Sequence, residues 1–320
     1  MGYCRNVIEE LVIEEARAQV AKLAPGMRKQ VNLSEAIAYS LNRLPPLYAT
    51  TQNGWTQQLK RARGELGAQI RNVVSHALVS VRPDPFRISA PLPESELEGQ
   101  ARSLARLQQI LDKPDLKWKD VPKALAAAMS NVRIKPSTGT SSIGAARLGA
   151  VDVKAYLQRS KARTSRPAIN VKESELEAKD FAAYMAGAAF GYSNILEKLV
   201  ASIAIRQMAR LSPELAERIP IEEVVAYTLN RLPPMYATSS RGYDALHTRA
   251  KVELSRQIIS TMRDGLKKVG QTPYQAIPSL PFDKFRHEQD LALLELQQLL
   301  KREDITWNNV VDIVEQALQL

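Results

Sequence analysis

The chain contains one segment twice. Slid along itself by 188 positions, Asn6–Pro25 falls on Asn194–Pro213 without a gap. The block AIAYSLNRLPPLYAT (Ala36–Thr50) falls on VVAYTLNRLPPMYAT (Val224–Thr238) with eleven identities in fifteen. Gly54 then meets Gly242, Trp55 meets Tyr243, Arg61 meets Arg249 and Glu65 meets Glu253. After one inserted residue Leu107–Leu111 meets Leu296–Leu300, and Trp118 meets Trp307. Agreement of this kind requires two copies of one module, expected at 1–129 and 176–320 with a linker at 130–175.

Within each copy apolar residues recur at three and four positions, the period of an amphipathic helix. Val7, Leu11, Ala18 and Leu23 mark the first helix, and Leu33, Ile37, Leu41 and Leu44 the second. Asn32 and Ser34 are candidate caps for the second helix, which must end by Pro45-Pro46. Proline lacks the amide donor and disfavours helix in the residue before it. Tyr48-Ala49-Thr50 is therefore expected to be extended. A long third helix follows a turn at Gly54, with Leu59, Ala62, Leu66, Ile70, Val73 and Ala77 along one stripe. After a proline-rich loop, Pro83–Pro93, two more helices are expected over 98–111 and 119–129. No alternating strand pattern of convincing length occurs. The expected fold is all-α: two homologous modules of about five helices each, paired within the chain about a pseudo-twofold axis and joined by a flexible basic linker.

With 320 residues, 45% of them hydrophobic, the chain has material for two cores of roughly 100–150 residues. No run approaches the ~18 to 20 apolar residues a membrane helix needs, and the opening residues resemble neither a secretory signal nor an acyl-acceptor motif. A cytoplasmic, soluble protein is expected. Cys4 is the single cysteine, and His76, His247 and His287 stand far apart, so no metal site is expected. The net charge of +10 points to nucleic acid until it is located. Between Ser130 and Lys172 lie nine basic residues and one acidic, a surplus of eight out of the ten. That stretch is rich in Ser, Thr and Gly, as expected of a linker with at most a short helix near Val151–Gln158. It reads either as a solvated tether or as a non-specific contact for nucleic acid or an acidic partner.

The opening NVIEELVIEEA, the block LNRLPPLYAT and the amphipathic helix that follows resemble the ComFB, or late-competence-development, family, here present twice. The resemblance covers both modules and not the linker. It implies an all-helical fold that tends to dimerise, and a likeness to cyanobacterial receptors for cyclic dinucleotides, cyclic di-GMP above all. One departure is plain: some members place metal-ligand cysteines between the first two helices, whereas Lys22–Gln30 here holds none.

The repeated polar residues suit a ligand with two phosphates and two purines. On the second helix Tyr39, Asn42 and Arg43 project opposite the apolar stripe, Tyr39 and Arg43 one turn apart. Tyr227, Asn230 and Arg231 repeat the set. Arginine can grip a phosphate in a fork, read the O6/N7 edge of guanine or stack on a base. Tyr48 and Tyr236 could stack on a base or pack in the core with a hydrogen-bonded hydroxyl. Thr50 and Thr238 could donate to phosphate. Arg61 and Arg249 stand opposite the stripe of the third helix, with Arg63 and Lys251 flanking it. Asn42 and Asn230 are candidates for ligand contact but also for capping the helix end. The paired prolines read as a helix stop, and Trp55, Tyr243, Trp118 and Trp307 as core or interface anchors.

A twofold pair of modules can offer each residue once to each half of a twofold ligand. The expected function is thus a cyclic dinucleotide receptor, for cyclic di-GMP or cyclic di-AMP, that relays second-messenger level to a partner such as a transcription regulator through module orientation. The modules would pair within the chain or as a homodimer. The alternatives are a nucleic-acid-binding regulator acting through the linker and a ligand-free helical scaffold. No catalytic ordering, paired-carboxylate cleft or phosphate-cradling glycine loop is legible, so no enzyme is expected.

Overall fold

Each copy opens on a buried asparagine that starts its first helix. Asn6, 3% exposed, accepts the Ile8 amide at 3.2 Å and the Leu47 amide at 2.9 Å on one carboxamide oxygen. The cap of the first helix and the chain just past the prolines are thereby tied to one atom. Asn194 does the same for Leu196 and Met235.

The computed structural model describes residues 4–81, 90–93, 97, 99–134, 177–178, 180–182, 184–185, 190–271, 280 and 283–318. Nearly all of the basic linker, the short helix expected near Val151–Gln158 and most of the Pro83–Pro93 loop lie outside the described residues. The first copy runs β1 (Arg5–Asn6), α1 (Val7–Ala21), α2 (Pro25–Arg28), α3 (Leu33–Leu41), β2 (Tyr48–Ala49), α4 (Gln52–Arg61), a π-helical turn (Ala62–Leu66), α5 (Gly67–Ser80), α6 (Gly99–Ile110), a 3-10 turn (Trp118–Asp120) and α7 (Val121–Ile134). The second runs β3 (Ser193–Asn194), α8 (Ile195–Met208), α9 (Pro213–Arg218), α10 (Ile221–Leu229), β4 (Tyr236–Ala237), α11 (Ser240–Arg249), a π-helical turn (Ala250–Leu254), α12 (Ser255–Gln271), α13 (Asp283–Leu300) and α14 (Val310–Leu318).

The extended Tyr48-Ala49 segment is found, paired antiparallel with the residues before α1: Asn6 opposite Tyr48 and Arg5 opposite Ala49. Ser193 and Asn194 face Ala237 and Tyr236 in the same register. Two departures from the sequence reading concern the third helix. It begins before Gly54, because Thr51 caps it by accepting the Gly54 amide at 3.1 Å. A side chain at Gly54 would crowd that hydroxyl, its Cβ coming within 3.0 Å. The helix is also interrupted in both copies by the π-helical turn, which inserts one residue into a helical turn and re-aims the stripe that follows.

Packing groups the chain otherwise than in sequence order. One unit takes Met1–Leu97 and Ala182–Asp283, the other Glu98–Phe181 and Lys284–Leu320. The modules expected at 1–129 and 176–320 therefore each contribute to both units: the N-terminal helices of the two copies fall in one unit and their C-terminal helices in the other.

In the first unit α1, α3 and α5 bury Val7, Ile8, Leu11, Ile37, Leu41, Ile70 and Val74 in one cluster. The aligned Leu196, Val225, Leu229, Ile258 and Met262 on α8, α10 and α12 form a second. The copies interlock here: Tyr236 belongs to the first cluster and Tyr48 to the second. A strap from the first copy also crosses. Ser240 on α11 donates its amide to the Ala90 carbonyl and its hydroxyl to the Pro91 carbonyl, and Leu92 packs with Ile195 and Ala237.

In the second unit Trp118 and Trp307 meet edge to face, 4.5 Å between centroids. They are core anchors, 0% and 5% exposed. Phe181 meets Phe285 similarly at 5.1 Å, and Ser103 donates to the Trp307 carbonyl at 2.5 Å. Among the described residues no helix is long and apolar enough to cross a membrane. Trp118→Ala is expected to cost about 3–5 kcal/mol through the cavity left beside Trp307. Denaturant unfolding followed by tryptophan fluorescence checks this, and a loss under about 1 kcal/mol would contradict the packing described.

Candidate functional site

The LNRLPP block places its residues by stopping a helix. α3 ends at Leu41, and Asn42 closes it by donating its backbone amide to the Ala38 carbonyl at 3.0 Å. The Asn42 side chain reaches the other copy: Nδ2 donates to the Tyr236 carbonyl at 2.9 Å and Oδ1 accepts the Tyr236 amide at 2.7 Å. Asn230 repeats this on Tyr48, at 3.0 and 2.6 Å. A carboxamide presents the same donor and acceptor as a peptide unit, so each asparagine acts as one rung of a ladder against the other copy's strand. The side chains of Asn42 and Asn230 therefore join the copies rather than cap their own helix.

Tyr48 and Tyr236 are 3% exposed. The Tyr48 hydroxyl donates to Glu197 Oε1 at 2.5 Å and accepts from Asn194 Nδ2 at 2.8 Å. Tyr236 donates to Glu9 Oε1 at 2.6 Å and accepts from Asn6 Nδ2 at 3.1 Å. Of the two sequence readings, core packing with a bonded hydroxyl is the one observed, and neither ring has a face open to a base. Burial, reinforced by the nearby Glu197 and Glu9 charges, pushes both phenols well above their ordinary range.

At the ends of α3 and α10 a stacked pair meets solvent. The Arg43 guanidinium lies 3.3 Å over the Tyr39 ring centroid and donates to the Tyr39 carbonyl at 3.1 Å. Arg231 lies 3.4 Å over Tyr227 and donates to its carbonyl at 2.9 Å. That carbonyl belongs to the last helical turn, where acceptors lack helical partners. Each arginine thus finishes its helix and lays a flat cation against an aromatic ring. Both are exposed. Each follows directly on the asparagine that binds the other copy, so the two stacks flank the contact between copies.

The other predicted residues are not drawn into this arrangement. Arg61 and Arg249 pair one turn along their own helices with Glu65 at 2.9 Å and Glu253 at 2.7 Å, all exposed. Arg63 reaches Glu14 at 3.5 Å across a groove of about 210 Å³ that Glu15, Gly67 and Arg71 also line. Lys251 is exposed on the second π-helical turn, and Thr50 and Thr238 are half-buried after their strands. Among the described residues no group of three or more His, Cys, Asp or Glu side chains could hold a metal ion.

Sequence reasoning missed Asn6, Asn194, Glu9 and Glu197. Their signal was present: each is identical between the copies and sits at or just inside a helix start. It also missed His76, whose Nδ1 lies 3.0 Å from the Tyr39 hydroxyl.

Asn42→Ala strands the Tyr236 amide and carbonyl and is expected to cost roughly 1–3 kcal/mol. Asn230→Ala should cost a similar amount, and thermal melts that leave both variants at the wild-type midpoint would contradict the ladder. A phenol raised in the folded state stabilises below its unfolded value, near 10, and loses that contribution as pH rises towards its folded value. Stability should therefore fall as pH climbs above ~10. Absorbance at the phenolate band should show Tyr48 and Tyr236 ionising only well above the ordinary phenol range, a late step that Tyr48→Phe halves.

No curated protein matches the chain. The profile of the family described as late competence development protein ComFB matches residues 5–85 and again 193–273. Together these make up just over half of the chain and span both interlocked helical cores. The chain belongs to the ComFB family and carries its domain twice.

Proposed function

We propose that this tandem ComFB chain is a cyclic dinucleotide receptor, with cyclic di-GMP the foremost ligand and cyclic di-AMP the alternative, that relays ligand level to a partner protein. The observation that carries the reading is the doubled stack, Arg43 on Tyr39 and Arg231 on Tyr227, flanking the contact between copies. A guanidinium held flat on a ring loses little freedom on binding. It uses one of its donors on a carbonyl and keeps others for a phosphate, with an outer face on which a purine can stack. The family resemblance read from the sequence supports the same ligand class.

Tyr48, Tyr236, Asn42 and Asn230 are the frame of this site rather than its contacts. Rotating one copy against the other would pull both tyrosines from the cores they fill. We therefore assign the relay to local change at the ends of α3 and α10, where ligand would hold the two arginines together. The reading involves no catalysis. A ligand-free scaffold is the second reading, favoured by one observation: each arginine also completes its own helix.

Titration of the intact chain with cyclic di-GMP separates the two. Saturable heat and a raised melting temperature are expected, with Arg43→Ala combined with Arg231→Ala weakening binding at least about tenfold, since each arginine is worth roughly a charged hydrogen bond. Neither heat nor a thermal shift from either dinucleotide would leave the scaffold reading standing.

A further inference from the structure

The two Arg–Tyr stacks are alike in their first layer and unlike behind it. In the first copy the Tyr39 ring stacks on His76 at 5.8 Å, and His76 Nδ1 is shared between the Tyr39 hydroxyl at 3.0 Å and the Ser80 hydroxyl at 3.2 Å. In the second copy the aligned positions hold Asp264 for His76, Gly265 for Ala77 and Lys268 for Ser80. Lys268 Nζ stands 5.7 Å from the Tyr227 centroid, the ring that Arg231 covers at 3.4 Å. Gly265 permits that placement. A Cβ there would lie 3.0 Å from Tyr227 Cδ1, so the ring rests against the α12 backbone where a larger residue would hold it off.

The surroundings differ in the same sense. The end of α12 carries exposed Arg263, Lys267 and Lys268 with one carboxylate, Asp264, whereas the aligned residues of α5 are Ser75, Val79, Ser80 and His76. We infer that Lys268 is a further phosphate-contacting residue and that the second copy supplies the stronger half of the site. This inference rests on the receptor reading above. Lysine is a compact charge on a long flexible stem, able to reach a phosphate that Arg231 already grips. Serine at position 80 offers a hydroxyl and no charge. A ligand with two equal halves thus meets two unequal seats, a divergence that a homodimer of identical chains cannot make and a fused pair can.

The experiment is calorimetric titration of the full chain with cyclic di-GMP, comparing wild type, Lys268→Ser, Ser80→Lys, Arg43→Ala and Arg231→Ala. Lys268 and Ser80 are both exposed, so exchanging them leaves the cores untouched. Lys268→Ser is expected to weaken binding roughly tenfold, the loss of one hydrogen bond to a charged group, and Ser80→Lys to strengthen it. Arg231→Ala should cost more affinity than Arg43→Ala, and the Lys268→Ser loss should shrink as salt is raised. Wild-type affinity in both Lys268→Ser and Ser80→Lys, or equal losses from the two arginine variants, would overturn the inference while leaving the receptor. Wild-type protein that gives no heat would remove the receptor reading itself.

Discussion

The first unit depends on an exchange: each copy places a tyrosine in the core of the other. Tyr48 fills the cluster built on α8, α10 and α12, and Tyr236 fills the one built on α1, α3 and α5. A buried aromatic ring removes some 150–250 Å² from water, which at ~25 cal/mol per Å² sets an upper bound of about 4–6 kcal/mol for each crossing. The hydroxyls do not subtract from that sum, because Glu197 and Asn194 satisfy one and Glu9 and Asn6 the other. A copy alone would have a hole where the foreign tyrosine belongs. Joining both copies in one chain keeps that partner at high effective concentration.

The exchange also explains why the two copies agree best along Ala36–Thr50 and Val224–Thr238. The positions there divide between filling a copy's own core and reaching the other copy. Leu41 and Leu44 fill the copy's own core, Asn42 pairs with the other copy's strand, and the prolines end the helix so that Tyr48 can leave it. Tyr48 must also be extended, since its amide and carbonyl are the groups Asn230 binds. A change at Asn42 or Tyr48 therefore reaches both copies at once.

Helix positions were legible because an amphipathic stripe and a proline stop are local signals. α6 and α7, expected at 98–111 and 119–129, are found at Gly99–Ile110 and Val121–Ile134. The π-helical turns were not legible: a stripe read from Leu59 to Ala77 continues through them, and only packing decides where the extra residue is absorbed. Nor was the grouping into units, because a duplicated sequence says that two modules exist and not which surfaces they share. The site divides along the same line. Arg43 beside Tyr39 follows from helical spacing alone. Asn42 bound to Tyr236 depends on a residue 194 positions away, and no pattern within one copy announces it.

The unequal positions carry as much information as the equal ones. Where a side chain hydrogen-bonds across the copies they match, as at Asn6 and Asn194 or Tyr48 and Tyr236, and most other core positions stay apolar. Where it faces solvent they drift: Arg17 against Ile205, Gly64 against Val252, Arg71 against Ile259. Arg43 and Arg231 stand outside this drift, exposed and yet identical, as do the ion pairs Arg61–Glu65 and Arg249–Glu253. Completing the last helical turn accounts for a basic side chain there, but lysine would serve that carbonyl as well. What lysine lacks is the plane, and the plane lies flat on tyrosine in both copies at nearly the same distance. Folding thus explains a cation at the end of α3 and α10, and the ring beneath it explains why that cation is arginine in both copies.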